Sequence, residues 1–398
     1  MSLSKKRARQ RATLVGALLG VIVILTFVIS LIAPGSKSTS NQPLASVTPY
    51  GTPPPPTEVV FPPPEPNPAL EGEPPYIHSS GYFQTFRPAG QDWIIDEGSS
   101  VNASSVARVV IQSPQRLAVI HNYIQPGVEY ESLDSFSKTF LTDQHFAGAW
   151  ADYESWTETK REITNDSVIV DFDLVSGGKQ YLARTSYRLD GTWLFVTRLV
   201  VPDNNPGLLD LLQSLVVPAF VGFHDLMALP QGWPAYTDQQ LGFILKHPAG
   251  WEFAAGGPGR PVTFSIPSGE ARDMVRVWTV PDQAITSAEE AQSWVSANEP
   301  GATILGANPI QREAGKGYQV AYTVRDTAGD VHSGLMVLLN DQAGTLFVAK
   351  LQIAPPDLNL LDAKDLSQND ADSRQAVAAG FIVLPDEARQ PVATPASQ

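Results

Sequence analysis

The chain has 398 residues, 41 acidic against 27 basic side chains, a formal net charge of −14 and no cysteine. The missing cysteine excludes disulfides, thiol catalysis and Cys-ligated zinc or iron–sulfur sites. The acidity disfavours nucleic acid and anionic headgroups as partners, and the length leaves room for two domains of ordinary size.

The first feature in chain order is an uncharged apolar run from Leu14 to Ala33, preceded by Lys5, Lys6, Arg7, Arg9 and Arg11. As a helix, such a run spans roughly 30 Å, the thickness of a bilayer's hydrocarbon core. The basic flank predicts that residues 1–13 stay cytoplasmic and that the bulk of the chain lies outside. A cleaved signal has a shorter apolar core of about 7–15 residues. Pro34 after Ala33 is also a poor residue to find beyond a cut, so the expectation is a single-pass anchor of the cell membrane over residues 14–33. A cleaved signal and a buried helix of a soluble domain are the alternatives.

Residues 34–76 are expected to form a disordered linker, because Pro53 to Pro56, Pro62 to Pro64, Pro66, Pro68, Pro74 and Pro75 crowd it. Proline at this density cannot donate to helix or strand ladders and favours polyproline II. At about 3.1 Å per residue such a stalk reaches on the order of 100 Å.

Beyond the stalk the chain repeats itself. Phe83, Pro88 and Trp93 open one copy and Phe243, Pro248 and Trp251 open the other. In the first copy, Ala107 to Ile111 and Leu117 to Tyr123 read as strands. A helix then starts at Ser132 with Leu133, Phe136 and Phe140 at helical spacing. Val168 to Leu174, Tyr181 to Arg188 and Trp193 to Val201 read as a three-strand meander, closed by a helix with Leu208, Leu211, Leu212 and Leu215 on one stripe. In the second copy, Val262 to Ile266 and Met274 to Val280 are strands, and Ser287 with Glu290 has capping-box spacing before Ala291, Trp294 and Val295. Tyr318 to Val324, His332 to Leu339 and Thr345 to Ile353 form the meander, followed by a helix near Ser373 to Ala379. Antiparallel strands with helices inserted and appended predict an α+β class, or an α/β/α sandwich where both faces are covered. The predicted domains are residues 80–223 and 234–385, with a break over Pro230, Gly232 and Pro234 and a disordered tail over 386–398.

The run Gly242-Phe243-Ile244-Leu245-Lys246-His247-Pro248-Ala249-Gly250-Trp251, followed by strands, a helix and a meander, resembles the PsbP-like fold family. His247 stands where that family usually has Tyr. The first copy departs further, with Tyr82 for the Gly and two extra residues between Pro88 and Trp93. The resemblance implies a compact antiparallel sheet flanked by helices, in exported accessory proteins that bind or stabilise larger complexes. It implies no common catalytic site, and no functional residue is carried over.

The chain has no Gly-x-Ser-x-Gly, phosphate-binding loop, dinucleotide fingerprint or paired His at metal spacing. His247 reads as a packing residue at a strand-to-turn junction. Asp171 and Asp173 share one face of a strand and are either solvated or neutralised by a cation. Gly256 to Arg260 has no following helix N-terminus and reads as a loop. The strongest ligand-binding candidates are Trp150, Tyr153 and Trp156 with Glu154 among them, since rings beside carboxylates can stack on sugars or cage a cation. Core or interdomain packing is the competing role, and the seam between the copies is a further place for a pocket.

These readings lead to a non-catalytic, membrane-anchored extracytoplasmic binding or accessory module, with a protein partner or ligand in the envelope and no cofactor, metal or nucleic acid. An envelope-polymer hydrolase and a signalling ectodomain acting through a partner are the alternatives. With the anchor in place, the protein stays in the membrane fraction at high salt and leaves only with detergent; release by salt alone refutes the anchor.

Overall fold

The computed structural model describes residues 60–66, 68–98, 107–256, 260–267, 274–325 and 329–390. The basic tail at 1–13, the apolar run at 14–33, the linker up to residue 59 and the tail beyond 390 lie outside the described residues. Among the described residues no helix is long and apolar enough to cross a membrane.

The first half runs β1 (Gly72–Ile77), β2 (Phe83–Pro88), β3 (Ile94–Asp96), β4 (Ala107–Ser113), β5 (Ala118–Pro126), α1 (Leu133–Thr139) and α2 (Asp143–Ala149). It continues with β6 (Ser155–Ile163), β7 (Ser167–Ser176), β8 (Lys179–Asp190), β9 (Trp193–Pro202), α3 (Pro206–Ala219), β10 (Val221–Gly222) and α4 (His224–Met227). The second half runs β11 (Ala235–Asp238), β12 (Phe243–Lys246), β13 (Glu252–Ala254), β14 (Val262–Ser265), β15 (Met274–Val280) and α5 (Ala288–Asn298). After these come β16 (Thr303–Gln311), β17 (Lys316–Arg325), β18 (Val331–Asn340), β19 (Leu346–Ile353), α6 (Gln368–Gly380) and β20 (Phe381–Val383).

The class is mixed α+β, with two antiparallel seven-stranded sheets of the same strand order, β3-β4-β5-β9-β8-β7-β6 and β13-β14-β15-β19-β18-β17-β16. Each meander has four strands rather than the expected three, because β6 and β16 were not legible as strands. Both are edge strands with little buried surface, and β16 contains Gly306 and Pro309. An edge strand tolerates proline and needs no apolar alternation. Helix α2 was also missed.

Each sheet has an apolar core on both faces. In the first half α3 packs on one face through Leu208, Leu209, Leu212 and Val216, while Phe136 of α1 and Phe146 of α2 cover the other. Leu211 and Leu215, expected on the buried stripe of α3, are only half-buried. In the second half Ala376 and Val377 of α6 pack on one face and Ala291 and Val295 of α5 on the other. Ser287 caps α5 by accepting from the Glu290 amide, but the Glu290 carboxylate reaches back to the Thr286 amide, one residue earlier than a capping box requires.

Residues 60–66 and 68–76, inside the span expected as linker, make contacts with the first half. Phe61 meets the Tyr181 ring edge-on, the Pro62 carbonyl accepts from Asn204, Leu70 packs on the first core, and β1 starts inside the span assigned to linker. Proline lacks an amide hydrogen but keeps its carbonyl, so a polyproline segment with apolar anchors can still dock. The tail also docks further than expected: Arg389 pairs with Asp341, and Gln239 donates to the Ala388 carbonyl.

Two three-stranded sheets, β1-β2-β10 and β11-β12-β20, flank the seam between the halves. Phe223, Leu226, Leu229, Ile244, Ile382 and Leu384 form a small core there. At Gly81, with φ +69°, a Cβ would sit 2.7 Å from the Ala235 Cβ, so the close approach requires glycine. His224 bridges Asp190 of the first half and Glu313 of the second at 2.9 and 2.6 Å.

Lys246 is fully buried in this seam, with its ammonium 4.0 Å from the centre of the Tyr82 ring. It donates to the Ser80 carbonyl at 2.7 Å and the Trp233 carbonyl at 2.8 Å, tying the two halves by one side chain. Burial pushes this amine down to about 7. An unfolded lysine titrates near 10.4, so between about pH 7 and 10.4 the unfolded chain holds more protons and stability rises with pH. Wild type therefore gains on Lys246→Met by up to about 1.4 kcal/mol per pH unit across pH 7 to 9.5 in urea melts; a pH-independent difference between the two refutes the assignment. His224 has the opposite sign. Burial lowers its pKa, but Glu313 and Asp190 outweigh this and hold it above the ordinary value, so its contribution is full below the ordinary value and is lost as pH rises through the raised one.

Candidate functional site

The residues singled out from sequence do not form one exposed cage. Trp150 is the C-cap of α2 and is only 4 % exposed. Its ring meets Tyr153 and Phe172 edge-on, and Arg198 lies over it with the guanidinium carbon 5.5 Å from the ring centre. Trp156 packs edge-on against Phe146 and Phe172. Glu154 is exposed and accepts from the Gly177 amide at 2.8 Å, closing the β7–β8 turn. Tyr153 lines a cleft of about 380 Å³ together with Val119, Val200, Tyr181 and Asp152.

Aromatic rings do hold a cation here, and the cation is the chain's own. Arg198 lies 5.2 Å from the Tyr123 ring centre, donates to the Tyr123 hydroxyl at 3.0 Å and sits directly across the β5–β9 ladder from His121. Burial, with Arg198 and Arg108 nearby, pushes His121 down to about 3, so it is neutral at physiological pH. The Trp150 Nε1, His121 Nε2 and Arg198 Nε atoms have no hydrogen-bond partner among the described residues.

Sequence reasoning missed Arg198, His121 and Tyr123. The available signal was a single basic residue in a mostly apolar last meander strand, Arg198 in the first copy and Lys350 in the second. The ladders establish the correspondence. Gln125 faces Leu194 as Val280 faces Leu346, and four residues back along β5 and β15, His121 faces Arg198 as Arg276 faces Lys350. By the same count Trp278 corresponds to Tyr123. Trp150, the C-cap of α2, corresponds to Glu299, the C-cap of α5. Thr303 to Pro309 forms part of β16.

In the second half the same four positions therefore hold Glu299, Arg276, Trp278 and Lys350, and the result is open. The four residues line a cleft of about 290 Å³ together with Leu241, Arg260, Pro261 and Thr279. Lys350 pairs with Glu299 at 2.6 Å, the two side chains being 10 % and 15 % exposed. Trp278 stacks on Trp294 with centroids 6.5 Å apart. Beneath them lies Tyr322, whose ring is admitted by Gly334: a Cβ there would fall 2.3 Å from the ring.

The other sequence candidates have local roles. His247 stacks on Trp251 and its Nδ1 donates to the Pro248 carbonyl at 2.9 Å, as a packing residue should. Asp171 is neutralised by Arg184 at 2.7 Å, while Asp173 is exposed. Part of the Gly256 to Arg260 loop lies outside the described residues.

The placement of Trp150 gives a prediction. Trp150→Ala removes a core ring together with the π-face under Arg198, and lowers stability by about 3–5 kcal/mol in denaturant melts. A variant melting like wild type would instead make Trp150 a ligand-facing group.

No family model matches the chain, and no curated protein matches it. Among solved structures the chain is similar to cyanobacterial PsbP from Synechocystis sp. PCC 6803, at 17% identity over 39% of this chain and 95% of that chain, with a TM-score of 0.28. It is also similar to the immunity protein TplEi of T6SS from Pseudomonas aeruginosa, at 11% identity over 75% of this chain and 99% of that chain, with a TM-score of 0.22. A third likeness is to the Tle4–Tli4 complex, at 12% identity over 75% and 99%, with a TM-score of 0.23.

Proposed function

We propose that this chain is a non-catalytic binding module, tethered by residues 14–33 at the outer face of a cell membrane, that takes its ligand in the second-half cleft. The observation carrying this reading is the asymmetry of a duplicated position. Where the first half sets Trp150 on its half-buried cation, the second sets the smaller Glu299 beside Lys350, leaving about 290 Å³ of lined space. Apolar walls with a few convergent polar groups are the common make-up of a small-ligand site. The seam supports the same reading, since Lys246 and His224 join the halves into one body on which the cleft is held. The Gly242 to Trp251 run, with its PsbP-like pattern, fits an accessory rather than a catalytic role.

The test copies the first half into the second. Glu299→Trp restores the plug and gives Lys350 an aromatic partner in place of its carboxylate. A photo-crosslinker at position 279 of the tethered protein in its native membrane labels one recurrent species, and Glu299→Trp abolishes the labelling with little change in melting temperature. Labelling indifferent to this variant removes the cleft from the function.

A further inference from the structure

We infer that the second-half cleft selects an anion, a carboxylate or phosphate monoester carried on a small apolar body; the inference rests on the proposed binding role of this cleft. Three cations, Arg260, Arg276 and Lys350, line the cleft against one carboxylate, Glu299. The surrounding chain has the reverse balance, 41 acidic to 27 basic residues, so the local excess is not a sample of the general surface.

The arrangement of the cations supports an external partner. Arg276 and Lys350 are direct partners across the β15–β19 ladder, and like charges directly opposite each other destabilise a sheet. Glu299 compensates only Lys350, at 2.6 Å. Among the described residues neither Arg276 nor Arg260 has an ion-pair partner. The corresponding ladder position in the first half carries neutral His121 opposite Arg198, so the fold does not require a second cation there.

The walls define the rest of the ligand. Trp278, Leu241 and Pro261 offer an apolar surface, with Thr279 as a hydroxyl beside it. The planar Arg276 guanidinium can hold two anion oxygens at once. About 290 Å³ lies at the small end of ligand sites, which suits one or two rings rather than a folded peptide segment.

Calorimetric titration of the full-length protein in detergent with 1-naphthoate, 1-naphthyl phosphate, neutral 1-naphthalenemethanol and cationic 1-naphthylmethylammonium tests this. Both anions bind about 10- to 100-fold tighter than the neutral compound, and the cation binds weakest. The ratio of phosphate to carboxylate affinity distinguishes the two headgroups. Arg276→Gln abolishes the preference for anions while the melting temperature holds, and Trp278→Leu weakens neutral and anionic compounds together. Equal binding of neutral and anionic compounds, a preference surviving Arg276→Gln, or no binding by any of the four overturns the inference. Charge-indifferent binding that Glu299→Trp blocks refutes the anion but leaves the binding cleft standing; binding that Glu299→Trp does not touch refutes both.

Discussion

A cation in the central ladder of each seven-stranded sheet, on the face covered by the inserted helix, has to be stabilised where water is scarce. A charge in such a place is tolerated only when paired or hydrogen-bonded. The two halves meet the constraint differently. Arg198 is placed between the Tyr123 and Trp150 rings, with hydrogen bonds to the Tyr123 hydroxyl and the Ala149 carbonyl. Lys350 has a carboxylate. These choices decide the local shape, because an indole fills the space above the ladder and a carboxylate does not. The neighbouring core follows: Phe172 packs under Trp150, whereas Tyr322 occupies the matching strand position under the smaller Gly334.

The seam imposes a related demand with a different solution. Among the described residues Lys246 has no carboxylate paired with its ammonium, and its two acceptors are carbonyls from different parts of the chain, Ser80 and Trp233. Carbonyls stabilise an ammonium less than a carboxylate does, which is why burial dominates its titration. His224, at the exposed edge of the same seam, has two carboxylates and titrates in the opposite direction. One junction thus carries two proton-sensitive contacts of opposite sign.

The repeat was legible because it is written in large apolar residues at fixed spacing: Phe83 and Phe243 both start buried strands, and the last three strands of each meander alternate or run apolar as burial demands. Ser132 and Ser287 cap the inserted helices where the sequence placed them. The edge strands β6 and β16 were not legible, since their side chains are mostly exposed and leave no periodic signal. The aromatic group was legible as an unusual cluster, but its role was not. Whether Trp150 faces a ligand or an internal cation depends on Arg198, which is distant in sequence and reaches the ring only through the β5–β9 pairing. Lys350 and Arg276 escaped for the same reason: cross-strand adjacency is a property of register, and register is fixed only once the sheet exists.

The strongly acidic surface bears on how a cationic cleft can work at all. A net charge of −14 repels anions at long range, so the cleft gains nothing from steering. At physiological ionic strength, however, exposed charges are screened beyond about 8 Å, while groups inside a low-dielectric cleft are screened far less. The local excess of Arg276 and Arg260 therefore governs binding once a ligand has entered, and the global charge governs only the rate of entry. An anion with an apolar body has a second advantage in this setting. Its contact with Trp278 is indifferent to the surrounding negative field and adds to the short-range attraction of the guanidinium. A bare inorganic anion would have the repulsion without that contact. The same acidity thus narrows what the cleft can retain to ligands carrying both a charge and a ring or chain.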